Sequence, residues 1–497
     1  MSSGSPVNNK VQDGIALIVF VIVLAFAAIA YALSNISIEK VRYEEVRTTQ
    51  SVLKRAKQAL LDSALTYADS NPGEFGFLPC PDYFDSVIPD EGGSDGNCGA
   101  AGENILGLFP WASLETGILK SGTGECLWYA VSGEYKGIPK TAMLNEDSNG
   151  AMRLYHSNGA AIKQGALAED RVIAIIFDPS NVLHGQNRSF DNTSLCGKDY
   201  FPSEYLEGDG TIDNSLLSGV AFAIDDFIAR GAGTDKLATP FTPYNDQLIT
   251  ISRNELWDAV VSRQDFVTNA DSTIQRHTRA LAMCIAAYGN NSGNRKLPRP
   301  VNVDFSGLDY RIDTNYDDTA AVSYLGRYPY TVDDSDTALS AAYAPNIGES
   351  DLFSKGFCNA LAVAGGPVID LEKPVSGPVP EGYTTWKNWK DHFFYAVSSY
   401  YAPVNAADTV VPSCDGTNCI VVGGIEYAAV VLYAGSRTGA QVRNEPVAGD
   451  ADTKNSIANY IEVSNPVGDG TGDYTPTGND IAYCITDTNP LTVVSCP

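Results

Sequence analysis

Positive charge is scarce in this chain of 497 residues: 33 Lys and Arg stand against 60 Asp and Glu, a net charge of -27. Such a surface repels phosphate backbones and anionic lipid head groups, which argues against nucleic-acid binding. Histidine is scarcer still. His156, His184, His277 and His392 are far apart and form no HExxH or HxH pattern, so neither a zinc hydrolase nor a catalytic triad can be read from them. No GxSxG, no Walker loop and no GxGxxG with strand-turn-helix flanks is found either. His184, in Leu183-His184-Gly185-Gln186-Asn187-Arg188, is the most site-like of the four. Even there, a structural loop bonding its own backbone is the better reading. An enzyme is not expected.

What the chain does have is a folded composition, 44% hydrophobic and 10% aromatic, with 45 Gly and 26 Pro promising many turns. Its length suits two or three domains at roughly 100–200 residues each. Ten cysteines with no paired CxxC knuckles point to disulfides in an oxidising compartment, with free core thiols as the alternative. Cys414 and Cys419 flank a short turn, Cys484 and Cys496 lie near the C-terminus, and Cys80 and Cys98 bracket an acidic stretch. Cys126 with Cys196 and Cys284 with Cys358 follow by elimination. Hard oxygen ligands for calcium occur in Asp82 to Asp95, Asn145 to Asn149 and Asp313 to Asp318, but none has EF-hand spacing. Solvated acidic loops are the simpler reading, and no cofactor is expected.

After a polar leader, Met1 to Gly14, the run Ile15 to Leu33 is uncharged over 19 residues, close to the roughly 20 that cross a bilayer. Neither Gly nor Pro interrupts Ile15 to Ser70, and Ile38, Val41, Val46, Leu53, Ala56, Leu60 and Leu65 recur at helical steps. The pattern predicts one uninterrupted helix, half apolar and half striped, ending at Asn71-Pro72-Gly73; unbroken, it would measure about 80 Å. A signal anchor, or a signal peptide cut after Ala30-Tyr31-Ala32, would also fit the apolar run.

A leader ending in glycine, an apolar segment directly after it and a continuous helix into a head together resemble type IV pilins and type II secretion pseudopilins. The resemblance implies cleavage between Gly14 and Ile15 by a prepilin peptidase, with methylation, and partnership with other pilin or pseudopilin subunits through the N-terminal helix. It also implies a single-pass inner-membrane protein whose heads lie in the periplasm or on an extracellular filament. Two residues depart from the pattern. Asp13 stands where basic or neutral residues are usual, and Val19, the fifth mature residue, stands where most pilins carry glutamate. A subunit with no neighbour ahead needs no such acid, so Val19 implies a minor or tip position. The alternative is a membrane-anchored binding protein that does not assemble.

The chain also repeats itself. Leu106-Gly107-Leu108 answers Leu325-Gly326-Arg327, Tyr129 to Ser132 recurs as Tyr395 to Ser398, and Ala174 to Phe177 answers Ala429 to Leu432. Gln186 and Arg188 answer Gln441 and Arg443, Tyr205-Leu206-Glu207 answers Tyr460-Ile461-Glu462, and helix starts match at Leu53 and Ile274. The expected fold is α+β: a long transmembrane-plus-amphipathic helix packed on an antiparallel sheet, then a second pilin-like head. Its parts would be the leader (1–14), a transmembrane half (15–34), a first head (35–256), a linker (257–270) and a second head (271–497) with a surface insert near 331–386.

Overall fold

The computed structural model describes the chain apart from residues 1–9, 36–37, 84–90, 95, 97, 157–160, 189–194, 197–200, 209–210, 230–243, 292–294, 306, 319–322, 333–349, 355, 375, 403–409, 446–449, 462–469 and 477. Two helices open it, α1 (Lys10–Asn35) and α2 (Ile38–Ser70). In α2 the stripe Leu53, Ala56, Leu60 and Ala64 is buried while Lys54, Arg55 and Gln58 face water, so burial of one face holds the helix down. Asn71 ends it, its backbone N–H and its Nδ2 both donating to Tyr67 O, and Gly73 follows at φ +83°.

The membrane-crossing rod is corrected. Among the described residues no helix is long and apolar enough to cross a membrane. Lys10 and Asp13 fall in the first turns of α1, and α2 brings Lys40, Arg42, Glu44, Glu45 and Arg47 into its own, so charge brackets the apolar run on both sides. α1 and α2 are two helices, with residues 36–37 between them outside the described residues. The expected fold, with its long transmembrane helix on a sheet, and the single-pass inner-membrane localisation are overturned with it. The leader up to residue 9 lies outside the described residues.

Seven strands follow: β1 (Ile105–Leu108), β2 (Trp128–Val131), β3 (Met152–His156), β4 (Ile162–Gln164), β5 (Val172–Asp178), β6 (Asp225–Ala229) and β7 (Gln247–Ser252). They form one sheet of order β1-β2-β5-β3-β4, with β6 on β3 and β7 on β5. Next come α3 (Arg253–Val261), α4 (Thr273–Asn291), the short strands β8 (Asp317–Asp318), β9 (Leu325–Arg327), β10 (Thr331–Val332) and β11 (Ser350–Asp351), and α5 (Glu381–Trp389). The last strands are β12 (Phe393–Val397), β13 (Ile420–Val422), β14 (Ile425–Tyr427), β15 (Ala429–Tyr433), β16 (Gly472–Tyr474), β17 (Ile481–Ile485) and β18 (Val493–Ser495). The second large sheet runs β18-β17-β15-β12-β9.

Both large sheets carry the same antiparallel ladder. A rung Gly107–Tyr129–Ile176–Ile249 crosses β1, β2, β5 and β7, and a rung Gly326–Tyr395–Val431–Tyr483 crosses β9, β12, β15 and β17. α2 packs on β5 and β7, and α4 on β15 and β17. The shared edge-strand glycine has a steric cause. A Cβ on Gly107 would meet Asp82 O at 2.7 Å, and one on Gly326 would meet Val301 O at 1.9 Å, because the chain after each helix bridges back to that edge.

The core runs without a break from one sheet to the other. The stretch expected as a linker is α3 and a following turn, whose Trp257 and Phe266 pack at 5.6 and 5.1 Å, ring to ring, on Trp389 of α5. α5 begins inside the segment expected as a surface insert, yet Phe353, Cys358, Trp386 and Trp389 are fully buried. Residues 333–349 of that insert lie outside the described residues. Aromatic packing between the halves thus takes in the expected linker and both Phe353 and Trp386 of the expected insert, while Val368 and Val379 between them stay exposed.

Candidate functional site

Four loops and the end of β9 meet between the two sheets and carry charge into the core. From the first half come Glu134 and the turn Asn145-Glu146-Asp147; from the second come Arg311, Arg327, the α5–β12 junction Asp391-His392, and the loop holding Arg443, Glu445 and Lys454. The Asn145 turn is built locally, Asn145 Oδ1 accepting from Asp147 N at 2.9 Å and Ser148 N donating to Asn145 O. Across the seam Leu144 N donates to Asn388 Oδ1 at 3.1 Å, and Asn145 Nδ2 donates to Asn388 O and Asp391 Oδ1, both at 2.8 Å. At the rim, Arg171 makes a two-pronged pair with Asp450 at 2.6 and 2.8 Å.

At the centre His392 Nε2 lies 2.9 Å from Asp147 Oδ2, both side chains wholly buried, while His392 Nδ1 faces Ala434 O at 3.2 Å. Burial alone would raise the Asp147 pKa, but His392 and Arg443 beside it hold the carboxyl far below its usual range. Glu146, Asp147 and His392 bring ligand atoms within 4.8 Å of one another, a spacing a metal ion would accept. A guanidinium already stands there. Arg443 Nη1 is 3.4 Å from Glu146 Oε1, 3.9 Å from Asp147 Oδ2 and 3.5 Å from His392 Nδ1, so positive charge is supplied by the chain and a dication would meet repulsion. The donor set does not fit a metal.

Beside it, Arg311 joins Glu134 of the first half to Glu445 of the second. Burial pushes Glu134 up to about 7 against the pull of Arg311, and the Glu445 charge adds to the rise. Lys454 Nζ contacts both Asp391 Oδ2 and Glu445 Oε1. Among the described residues, the side chains of Asp147, Asp391, His392, Arg443 and Lys454 at the centre of this polar core are shut off from solvent. Two grooves of about 510 and 520 Å³ lie elsewhere, one along α2 and the other at the β1 edge near Tyr83 and Phe201. Chemically the arrangement is an adhesive seam, dry and charge-matched, that locks two sheets into one body.

Gly14 and Ile15 lie within the span of α1, and Val19 is 54% exposed on it. The cysteines pair as Cys80–Cys98, Cys126–Cys196, Cys284–Cys358, Cys414–Cys419 and Cys484–Cys496, leaving none free. His156 and His184 are exposed. His277, expected on a helix surface, is instead buried beneath α4's own turn, with Nδ1 2.5 Å from Thr273 O, and burial pushes its pKa down to about 4. Of the acidic stretches, Asn145 to Asn149 is buried in the seam, Asp313 pairs with Lys390 at 2.6 Å, and much of Asp82 to Asp95 lies outside the described residues. Gln186 Oε1 accepts from Leu183 N and Gln441 Oε1 from Thr438 N, while Arg188 and Arg443 donate to backbone carbonyls around their loops. Sequence reasoning missed Glu134, Arg311, Asp391, Glu445 and Lys454, since nothing in their spacing marks them as neighbours. Arg327 and Arg443 fall in repeated landmarks, and Glu146 and Asp147 in an acidic stretch with oxygen ligands, but nothing in the sequence joins them into one site. No protein-family model, curated protein or solved structure matches this chain.

Proposed function

We propose that this chain is a non-enzymatic assembly subunit of a pilus-type or secretion-type filament, with α1 as the assembling element and the fused double sheet as its head. The observation that supports this reading is the run of apolar side chains on α1. Leu17 to Leu24, Phe26, Ile29 and Tyr31 are each at least 47% exposed and lie on every side of the helix. Such a surface demands a cover, since burying a large apolar side chain is worth about 1.5–3 kcal/mol. The cover proposed is the corresponding helix of other pilin-like subunits. Processing between Gly14 and Ile15 by a prepilin peptidase would free the end of α1 for that packing, and the apolar Val19 suits a minor or tip position. The buried seam suits a head that transmits load as one body.

Photo-crosslinkers placed at Val19 and Phe26 of the full chain in its own cells test the reading. Adducts joining α1 to the N-terminal helix of another subunit are expected, and their loss in a Val21→Asp/Ile22→Asp variant. A folded chain that yields no protein adduct from either position refutes it.

A further inference from the structure

We propose that Lys454 and Asp391 become joined by an intramolecular amide bond, made by the folded protein itself with Glu445 as the proton carrier. Three side chains meet there with water excluded. Lys454 Nζ lies 2.6 Å from Asp391 Oδ2 and 2.9 Å from Glu445 Oε1, and the side chains of Lys454, Asp391 and Glu445 are 0%, 0% and 3% exposed. Arg327 clamps both reactants by their backbones, Nη1 to Asp391 O and Nη2 to Lys454 O at 2.6 Å, so amine and carboxyl are held facing each other. Asn145 Nδ2 donates at 2.8 Å to Asp391 Oδ1, the oxygen on which negative charge develops when an amine adds to the carboxyl carbon. Tyr310 forms part of the wall, its ring centre 5.5 Å from Lys454 Nζ.

The chemistry balances without an added reagent. The Nζ–Cγ bond forms and the Cγ–Oδ2 bond breaks. Of the three ammonium protons one stays on the amide, and two leave with Oδ2 as water, relayed by Glu445, which ends as it began. Nothing is oxidised or reduced. Burial by itself opposes both charges, but the attraction between them and their neighbours outweighs it, holding the Asp391 pKa below and the Lys454 pKa above their usual ranges, so the pair rests ionised before reaction. Proton transfer through Glu445 is therefore the entry step. Condensation then replaces two fully buried charges by a neutral amide, removing a desolvation cost that an ion pair retains.

The chain supplies its own control. Lys390 Nζ is also 2.6 Å from a carboxylate, Asp313 Oδ1, but its other neighbour at that distance is the backbone Arg311 O, which cannot carry a proton. That pair stays ionic.

Peptide mapping by mass spectrometry on the reduced, denatured full-length chain decides the matter, and it does so whether or not the protein assembles. A branched peptide joining the Asp391 and Lys454 segments, lighter than their sum by one water, is expected, with the Lys390 and Asp313 segments unlinked. Lys454→Arg and Glu445→Gln should each return two linear peptides of full mass. Linear Asp391 and Lys454 peptides from the wild type overturn the proposal, as does a water loss that maps to Lys390 and Asp313. A branched peptide persisting in Glu445→Gln overturns the proton-carrier role. Should the variants fail to fold, the wild-type digest is sufficient by itself.

Discussion

Arg443 and Arg188 occupy matching places in the two halves, and the difference between them measures what the buried seam contributes. Arg188 Nε and Nη1 donate to Glu204 O and Ser180 O at 3.0 and 2.8 Å; Arg443 Nε and Nη1 donate to Asn459 O and Gly435 O at 2.6 and 2.9 Å. Each stacks over a tyrosine, Tyr205 at 5.0 Å and Tyr460 at 4.6 Å. Their acids differ. Arg188 meets Glu125, 27% exposed, whereas Arg443 meets Glu146 and Asp147, 7% and 0% exposed. Truncating Arg188 to alanine also loses bonds from Nη2 to Pro179 O and Tyr205 O that Arg443 has no match for, about 2 kcal/mol in all at about 1 kcal/mol each. Against that stands the buried acid pair left behind by Arg443→Ala, about 3–5 kcal/mol, compared with about 0–1 kcal/mol for a pair with a partly exposed acid. Arg443→Ala should therefore cost about 1–2 kcal/mol more than Arg188→Ala. With a urea slope of about 3 kcal/mol/M, the midpoint should fall by roughly 0.5 M more in equilibrium unfolding with disulfides intact. Adding Asp147→Asn should recover part of the loss by removing one stranded charge. Equal losses for the two arginines, or no recovery in the double variant, would refute the reasoning.

Burial and loop closure give three further outcomes. His277 has its pKa lowered from 6.5 to about 4, so its contribution is complete above pH 6.5 and is lost as pH falls through about 4, a drop of about 3 kcal/mol at about 1.4 kcal/mol per unit. Glu134, raised from 4.5 to about 7, runs the other way, contributing fully below pH 4.5 and fading as pH rises through about 7. Urea midpoints across pH 4 to 8 should show the acid-side loss reduced in His277→Gln and the alkaline-side loss reduced in Glu134→Gln; a profile unchanged in either variant contradicts the assignment. Among the disulfides, opening Cys284–Cys358, with partners 74 residues apart, should cost about 4 kcal/mol, against about 2 kcal/mol for Cys414–Cys419, whose partners are 5 apart. Paired Cys→Ala variants in the same unfolding assay would expose a reversed order.

Local patterns carried much of the architecture. The stripe Leu53, Ala56, Leu60 marks α2's buried face because helix periodicity is a property of neighbours in the chain. Runs such as Arg171 to Phe177 and Tyr427 to Tyr433 mark β5 and β15 within two residues, since β-branched and aromatic side chains favour buried strands. The seam was illegible for the opposite reason. Glu134, Arg311, Asp391 and Lys454 look like ordinary surface charges in a row of letters, and only the docking of the two sheets takes them out of water together. His277 did carry a signal that went unread: it falls three residues after Ile274 and four before Leu281, on α4's buried face.

By itself, then, the amino-acid order determined the acidic balance, the helix stripes, the central strands and the short-range cysteine pairs, all of which depend on composition or on interactions a few residues apart. Tertiary structure alone decided that Trp257 and Trp389 weld a supposed linker into the core, and that Arg443 stands where a metal would otherwise sit. Those outcomes depend on which distant segments share a dry space, and burial, which has no local signature, sets the energy of every charge within it.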